Sequence, residues 1–127
     1  MEPVLDYRDL KVWQMAIDLA PRVYKLTQTL PRSEMYAMGD QMRRAMVSIP
    51  SNIAEGHERR HTKEFLHYVC IARGSLAELD SLMLVAERLD YVTAASTTSL
   101  RNDLGELRRA LYGLSSALNR KLRHPAA

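Results

Sequence analysis

The sequence has few of the residues on which several classes of protein depend. A single cysteine, Cys70, excludes an internal disulfide framework and a zinc site that needs several cysteines. Five glycines and five prolines exclude collagen-like and low-complexity chains. Uncharged apolar runs fall short of the roughly 18 residues that span a membrane, and the first residues do not form a secretory-signal pattern. We therefore expect a protein with no membrane association, in a reducing cytoplasm.

The composition that remains is that of an ordinary globular domain. The 127 residues, of which 46% are hydrophobic and 26% charged, suffice for one domain but hardly for two. We predict a single domain over residues 1–127. No group of residues forms a catalytic constellation, so we expect neither enzyme activity nor a cofactor.

Apolar residues recur with helical spacing in four segments, and the alternation typical of strands is absent. The segments span about residues 10–30, 34–55, 63–89 and 94–122. Asp9 and Thr62 are the predicted N-caps of the first and third helices, while Gly56 and Asp90 are the predicted closing residues of the second and third. Short connections make neighbouring helices antiparallel. The predicted fold is therefore an all-α, antiparallel, up-down four-helix bundle.

The first segment carries more apolar surface than one face of a bundle uses. Two stripes run along it about 120° apart. The first contains Leu10, Trp13, Ile17, Ala20 and Tyr24, and the second contains Val12, Leu19, Val23, Leu26 and Leu30. A bundle face needs an apolar arc of little more than about 100°. Either both stripes are buried within one chain or one of them forms a subunit interface, and we favour the interface.

The fourth segment separates its charges, in a chain with 14 arginines, four lysines and a net charge of +3. On a helical projection, one face collects Arg101, Arg108, Arg109, Tyr112, Arg120 and Arg123. Asp103 and Glu106 fall on the opposite flank. Arginine binds phosphate through paired hydrogen bonds, and tyrosine stacks on bases. This face fits three interpretations: a solvated surface, a contact with RNA or DNA, or a contact with an acidic protein.

A polar stripe borders the apolar seam of the second segment. It consists of Gln41, Arg44, Ser48, Asn52 and Glu55, and the third segment adds Ser75 and Glu78 beside its own seam. Buried polar groups need hydrogen-bond partners, so the stripe is either an inter-helix network or the lining of a pore or groove in an assembly. Arg44 with Glu55, or Arg44 with Glu78, would be the natural ion pair.

Two enzymatic interpretations fit poorly. Di-iron bundles draw Glu-x-x-His from each of two helices and a glutamate from each of the others, but here both such pairs lie around one turn, Glu58/His61 and Glu64/His67. Arg60 and His67 only vaguely resemble the arginine–histidine signature of helical-bundle ribonucleases. Cys70 has no convincing base beside it, so we expect it in the core. We predict no metal site and no catalytic residue.

Several runs of residues resemble one bacterial family. They are Asp9-Leu10-Lys11-Val12-Trp13, the run from Ser48 to Gly56, and Ile71-Ala72-Arg73-Gly74-Ser75 followed by Glu78-Leu79. Over about residues 5–115, the chain resembles the four-helix bundle family named after a protein encoded in intervening sequences of 23S rRNA. The family is often labelled ribosomal-protein-like, and its fold is similar to that of the accessory variability determinant of diversity-generating retroelements. The resemblance implies a closed homo-oligomeric ring, usually a pentamer, with nucleic acid as the suspected partner.

These observations predict a non-enzymatic, RNA-associated accessory protein that binds nucleic acid through the basic face of its fourth helix. The alternative is a structural homo-oligomeric scaffold that binds an unidentified protein. A bundle ribonuclease is the third possibility. Salt-dependent binding to generic RNA separates the first interpretation from the second.

Overall fold

The computed structural model describes residues 6–124, and all its regular structure is helical. A 3₁₀ turn (Tyr7–Asp9) precedes the first helix. Four long helices and one short helix follow: α1 (Lys11–Thr27), α2 (Arg32–Met35), α3 (Met38–Glu58), α4 (Thr62–Arg88) and α5 (Ala94–Arg123). Each long helix packs against the next long helix in the chain, and α5 returns to pack against α1. The predicted all-α four-helix bundle is confirmed.

The first two helices differ from the prediction in their bounds. The helix predicted over about residues 10–30 ends at Thr27, and the second long helix begins only at Met38. Pro31 contributes to the early end, because it has no backbone N–H to donate to the carbonyl of Thr27, four residues earlier. Residues 32–35 form the separate short helix α2. Ala37, with φ −108° and ψ −86°, is not helical and separates α2 from α3.

The predicted N-caps are also wrong. Leu10 occupies the N-cap of α1 without a side-chain hydrogen bond, because the 3₁₀ turn ends directly before the helix. Asp6 caps that turn, accepting from the backbone N–H of Arg8 at 2.8 Å. The Arg8 side chain also donates to Asp6 and holds the pKa of this carboxyl below its usual value. Thr62 is the first residue of α4, which follows the N-cap His61.

Of the two predicted closing residues, Asp90 is confirmed and Gly56 is wrong. Asp90 has φ 60° and closes α4 in the left-handed conformation, as predicted. The N–H of Tyr91 then donates to the carbonyl of Ala86 at 2.9 Å, which satisfies the end of the helix. Gly56 does not close α3, because the helix continues to Glu58 and the left-handed residue is Arg60, with φ 61°.

The core lies along the shared axis of the four long helices. Its largest fully buried side chains include Met42, Met46, Ile49 and Ile53 from α3, Leu76, Leu79 and Met83 from α4, and Leu104, Leu107 and Leu111 from α5. The second apolar stripe of α1 is buried against them, from Val12 to Leu30. In the described part of the chain, no helix has the length and apolar character needed to cross a membrane.

The first apolar stripe of α1 stays at the surface of the chain. Ile17 and Tyr24 are exposed, while Leu10, Trp13 and Ala20 are half-buried. Trp13 packs edge-to-face on Tyr7, with ring centroids 5.3 Å apart. One chain therefore buries one stripe fully and the other only in part, since Leu10, Trp13 and Ala20 pack against the core while Ile17 and Tyr24 do not.

Candidate nucleic-acid interface

The leucine seam of α5 determines which side chains reach solvent. Leu100, Leu104, Leu107, Leu111 and Leu118 are buried, so the face that carries the predicted arginines points outward. Arg108, Arg109, Arg120 and Arg123 are exposed, and Tyr112 is 59% exposed. Within residues 6–124, no carboxylate lies within ion-pair distance of these four arginines. We call Arg108, Arg109, Tyr112, Arg120 and Arg123 the basic face.

Arg73 on α4 joins this face, although it was not among the residues predicted to bind nucleic acid. Its guanidinium lies over the ring of Tyr112, 5.0 Å from the ring centroid. A cation at this distance is attracted by the negative face of an aromatic ring. Its place directly after the buried Ala72 puts Arg73 beside the apolar seam of α4, but the sequence does not tell which neighbouring helix that flank faces. The positively charged surface therefore spans two helices.

Arg101 differs from the other predicted arginines. Its Nε donates to Oδ1 of Asp80 on α4 at 2.9 Å, and the two side chains are 32% and 34% exposed. This hydrogen bond raises the pKa of the Arg101 guanidinium. The structure thus places Arg101 in an ion pair between helices, next to the basic face.

A groove of about 330 Å³ runs between α4 and α5 beside this ion pair. We call it the α4/α5 groove. It is lined by Leu76, Ala77, Asp80, Ser81, Arg101, Leu104, Gly105 and Arg108. Two guanidiniums and one carboxylate therefore line a single depression at the edge of the basic face.

The predicted polar stripe divides into two parts. Ser48 and Ser75 share a hydrogen bond of 2.8 Å between α3 and α4, and Asn52 Nδ2 donates to Ser48 Oγ at 2.9 Å. These three side chains form a half-buried inter-helix network. The remaining four side chains are exposed: Gln41, Arg44, Glu55 and Glu78.

The ion pairs expected of Arg44 are not formed within the chain. Glu55 pairs instead with Arg59 one turn later, at 3.3 Å. Within the described chain, neither Arg44 nor Glu78 has an opposite charge within ion-pair distance. Arg44 lines a cavity of about 520 Å³ between α1 and α3, which we call the α1/α3 groove. The other lining residues are Tyr24, Asp40, Arg43, Val47 and Ser48.

Among the exposed apolar side chains, two groups lie on different surfaces of the bundle. Val47, 44% exposed, lies with Tyr24 in the α1/α3 groove. The second surface is a stripe along α4 made of Ile71, Val85 and the C-cap residue Leu89, which we call the α4 stripe; Val85 is 45% exposed. Their spacing of fourteen and four residues places them on one face, and Glu78 falls on the same face.

The residues considered for catalysis or metal binding lie near the turn between α3 and α4. Among residues 6–124, no group of three or more His, Cys, Asp or Glu side chains is arranged to hold a metal ion. Arg60 lies in the turn itself, and His67 packs edge-to-face on Tyr68 in α4. Cys70 is exposed, so the expectation that it lies in the core is wrong.

The sequence profile of one family, described as 23S rRNA-intervening sequence protein, matches residues 8–113. The chain belongs to this family. The resemblance found in the sequence is thereby confirmed, over nearly the range expected. Comparison of the sequence with curated proteins gives no match.

A solved structure supports the fold of this 23S rRNA-intervening sequence protein family member. It is a protein of unknown function from the S23 ribosomal protein family of Bacteroides thetaiotaomicron, with a TM-score of 0.76. The sequences are 24% identical, and the match covers 82% of this chain and 97% of the other. This likeness establishes the shared bundle, and the functional argument rests on the side chains above.

Proposed function

We propose that the protein is a non-enzymatic nucleic-acid-binding accessory protein whose basic face contacts phosphates. The observation that carries this proposal is the set of four exposed arginines on α5, none with a carboxylate partner within the described chain. Arg73 extends the same positive surface onto α4 and places an aromatic ring, Tyr112, within it. The family name refers to 23S rRNA, which makes RNA the first probe.

The expected mode of binding follows from the chemistry of this surface. Guanidiniums on a helix face contact phosphates, which position a nucleic acid but carry no base sequence. Binding should therefore be nearly independent of sequence. Each phosphate neutralised releases counterions, so affinity should fall steeply with salt. Tyr112 offers a stacking surface for an unpaired base.

The test is fluorescence anisotropy with single-stranded and duplex RNA and DNA at low salt. The double variant Arg108→Glu/Arg109→Glu should lose binding, while its helicity and oligomer mass stay unchanged because neither side chain faces the core. The matched control is Lys25→Glu/Arg32→Glu, which makes the same charge change on exposed residues of α1 and α2. Equal loss in the control would mean that only net charge matters. Absence of wild-type binding at low salt would refute the proposal.

A second candidate function, a homo-oligomeric scaffold, is favoured by the exposed apolar surfaces. A contact between the α1/α3 groove of one copy and the α4 stripe of the next would bury Val47 and Val85 together. The same contact would bring Arg44 of one copy towards Glu78 of the other, and among residues 6–124 of its own chain neither has an opposite charge within ion-pair distance. Because the two surfaces differ, the contact is head-to-tail, and such contacts generate closed rings when the rotation closes. The ring, a pentamer by family resemblance, is part of this proposal.

The two proposals are compatible. A ring repeats the basic face once per subunit, so weak phosphate contacts add to a usable avidity. A scaffold without nucleic-acid binding would use the same ring to hold a protein partner. Wild-type binding to RNA or DNA distinguishes them, because only the first proposal requires it.

A further inference from the structure

Among the residues that the structure describes, Asp80 is the one carboxylate that lines the α4/α5 groove. Its Oδ1 accepts a hydrogen bond from Arg101 Nε. Arg108, two turns after Arg101 on α5, lines the same groove. Both members of the ion pair remain about one-third exposed, so an ion from solvent can reach them. Asp80 therefore lies where an incoming phosphate would meet Arg101.

The backbone of α5 leaves room for such a phosphate. Arg101 and Arg108 are seven residues apart and share a helix face, with Gly105 between them. Within the described chain, a β-carbon at Gly105 would have only Nη1 of Arg109 near it, at 3.6 Å. The space above Gly105 is thus bounded by the Arg109 guanidinium and is open to the groove.

We propose that the α4/α5 groove is a phosphate subsite of the nucleic-acid interface, in which Asp80 competes with phosphate for Arg101. This inference rests on the proposed function. Arg108 contacts the phosphate directly, whereas Arg101 must leave Asp80 to do so. Asp80 lowers the affinity for nucleic acid in two ways: it holds Arg101, which would otherwise bind the phosphate, and its own charge repels the phosphate.

Asp80→Asn is the decisive variant. Asparagine keeps the size of aspartate and can still accept a hydrogen bond, so the packing of α4 on α5 is preserved in the free protein. It carries no charge, so a phosphate can displace it from Arg101 more easily than it displaces the carboxylate. The variant should bind RNA about tenfold more tightly at low salt. One more arginine would contact phosphate, so the logarithmic salt slope should steepen by close to one unit. Thermal unfolding by circular dichroism checks that the fold is retained.

Asp103→Asn is the matched control. Asp103 pairs with Arg22 of α1, so this variant removes the same charge from a slightly more exposed inter-helix ion pair. The pair lies on the opposite flank of α5, away from the groove. Asp103→Asn should change the affinity by at most about twofold, as expected of a distant surface charge. An equal gain in both variants would overturn the inference, since net charge alone would then explain it.

Two double variants test the role of Arg101 at constant net charge. Asp80→Asn/Arg101→Gln should bind about as well as the wild type, because the released arginine is gone together with its competitor. Asp103→Asn/Arg101→Gln should bind about fivefold more weakly, because Asp80 is then unpaired beside the phosphate. If Asp80→Asn/Arg101→Gln keeps the full tenfold gain, Arg101 is not a phosphate ligand and the subsite is wrong.

The wild-type measurement separates this inference from the proposed function. If the wild type binds RNA with a steep salt dependence but Asp80→Asn does not exceed Asp103→Asn, only the subsite fails. If the wild type does not bind RNA or DNA at low salt, the proposed function fails and the subsite fails with it.

Discussion

Gly56 on α3 faces Tyr68 on α4 so closely that a β-carbon at Gly56 would lie 2.6 Å from Cβ of Tyr68. The same β-carbon would lie 3.2 Å from Cδ1 of Phe65. Cβ of Tyr68 is bonded directly to the backbone of α4, so α4 itself would have to move. The missing side chain of Gly56 therefore determines how closely α3 and α4 approach at this end of the bundle.

Gly56→Ala should lower the melting temperature. Overpacking of this kind costs about 1–3 kcal/mol, of which alanine regains about 1 kcal/mol through its higher helix propensity. The net loss should lower the melting temperature by a few degrees, measured by circular dichroism. Gly74→Ala is the control, because Gly74 lies mid-helix in α4 with nothing within 4 Å of a new β-carbon. Gly74→Ala should raise the melting temperature, and a rise in both variants would contradict the close-packing argument.

Gly56 also illustrates what periodicity alone can predict. The four long helices and their buried seams follow from apolar spacing, which depends only on neighbours along the same helix. A glycine near the end of a helical pattern can have either of two roles that look identical in sequence: it can close the helix in the left-handed conformation, or it can allow another helix to approach closely. The end of α3 depends on Arg60 instead, a residue type for which left-handed backbone is uncommon.

Part of the candidate site was also predictable from spacing along a single helix. The outward direction of Arg108, Arg109, Tyr112, Arg120 and Arg123 follows from the position of the leucine seam on their own helix. The contacts of Arg73 with Tyr112 and of Arg101 with Asp80 depend on how α4 and α5 are rotated relative to each other. Single-helix spacing does not determine that rotation.

Arg43 should be the main stabilising arginine of the chain. It donates to the fully buried Thr27 hydroxyl at 2.8 Å, to the carbonyl of Met35 at 2.8 Å, and to Asp40. It thereby joins the end of α1, the turn α2 and the start of α3. Arg43→Met should lower the free energy of unfolding by about 1–3 kcal/mol, because buried acceptors lose their donor. Urea denaturation measures this loss, and the exposed Arg32→Met should change stability by less than about 0.5 kcal/mol.

Tyr112 should distinguish single strands from duplexes. An exposed aromatic ring stacks on an unpaired base, and removing such a ring costs about 1–3 kcal/mol per base. Tyr112→Ala should therefore weaken single-stranded RNA binding about tenfold, but duplex binding by less than about twofold. Arg73→Gln should weaken both probes alike, because it removes a charge that phosphates meet in either form. Equal losses for Tyr112→Ala on both probes would mean that Tyr112 supports Arg73 and does not stack.

Val47 and Val85 test the proposed head-to-tail contact. Light scattering of the wild type at micromolar concentration should give a mass several times 14.5 kDa. Val47→Asp and Val85→Asp should each lower it towards 14.5 kDa with helicity retained, whereas Leu122→Asp, an equally drastic change at another exposed site, should not. Mixing the two monomeric variants should produce a one-to-one dimer, because each keeps the surface that the other lacks. A self-complementary contact would give no such rescue.

Arg44 and Glu78 test the orientation of the same contact. Each is exposed at one of the two apolar surfaces and lacks an opposite charge within the described part of its own chain. Arg44→Glu or Glu78→Arg alone would place like charges together in every subunit contact and should lower the oligomer mass. The double variant restores opposite charges and the original net charge, so it should assemble again. If both single variants keep the wild-type mass, the two side chains do not meet across subunits. A double variant that stays dissociated would place both residues in the interface but against other partners.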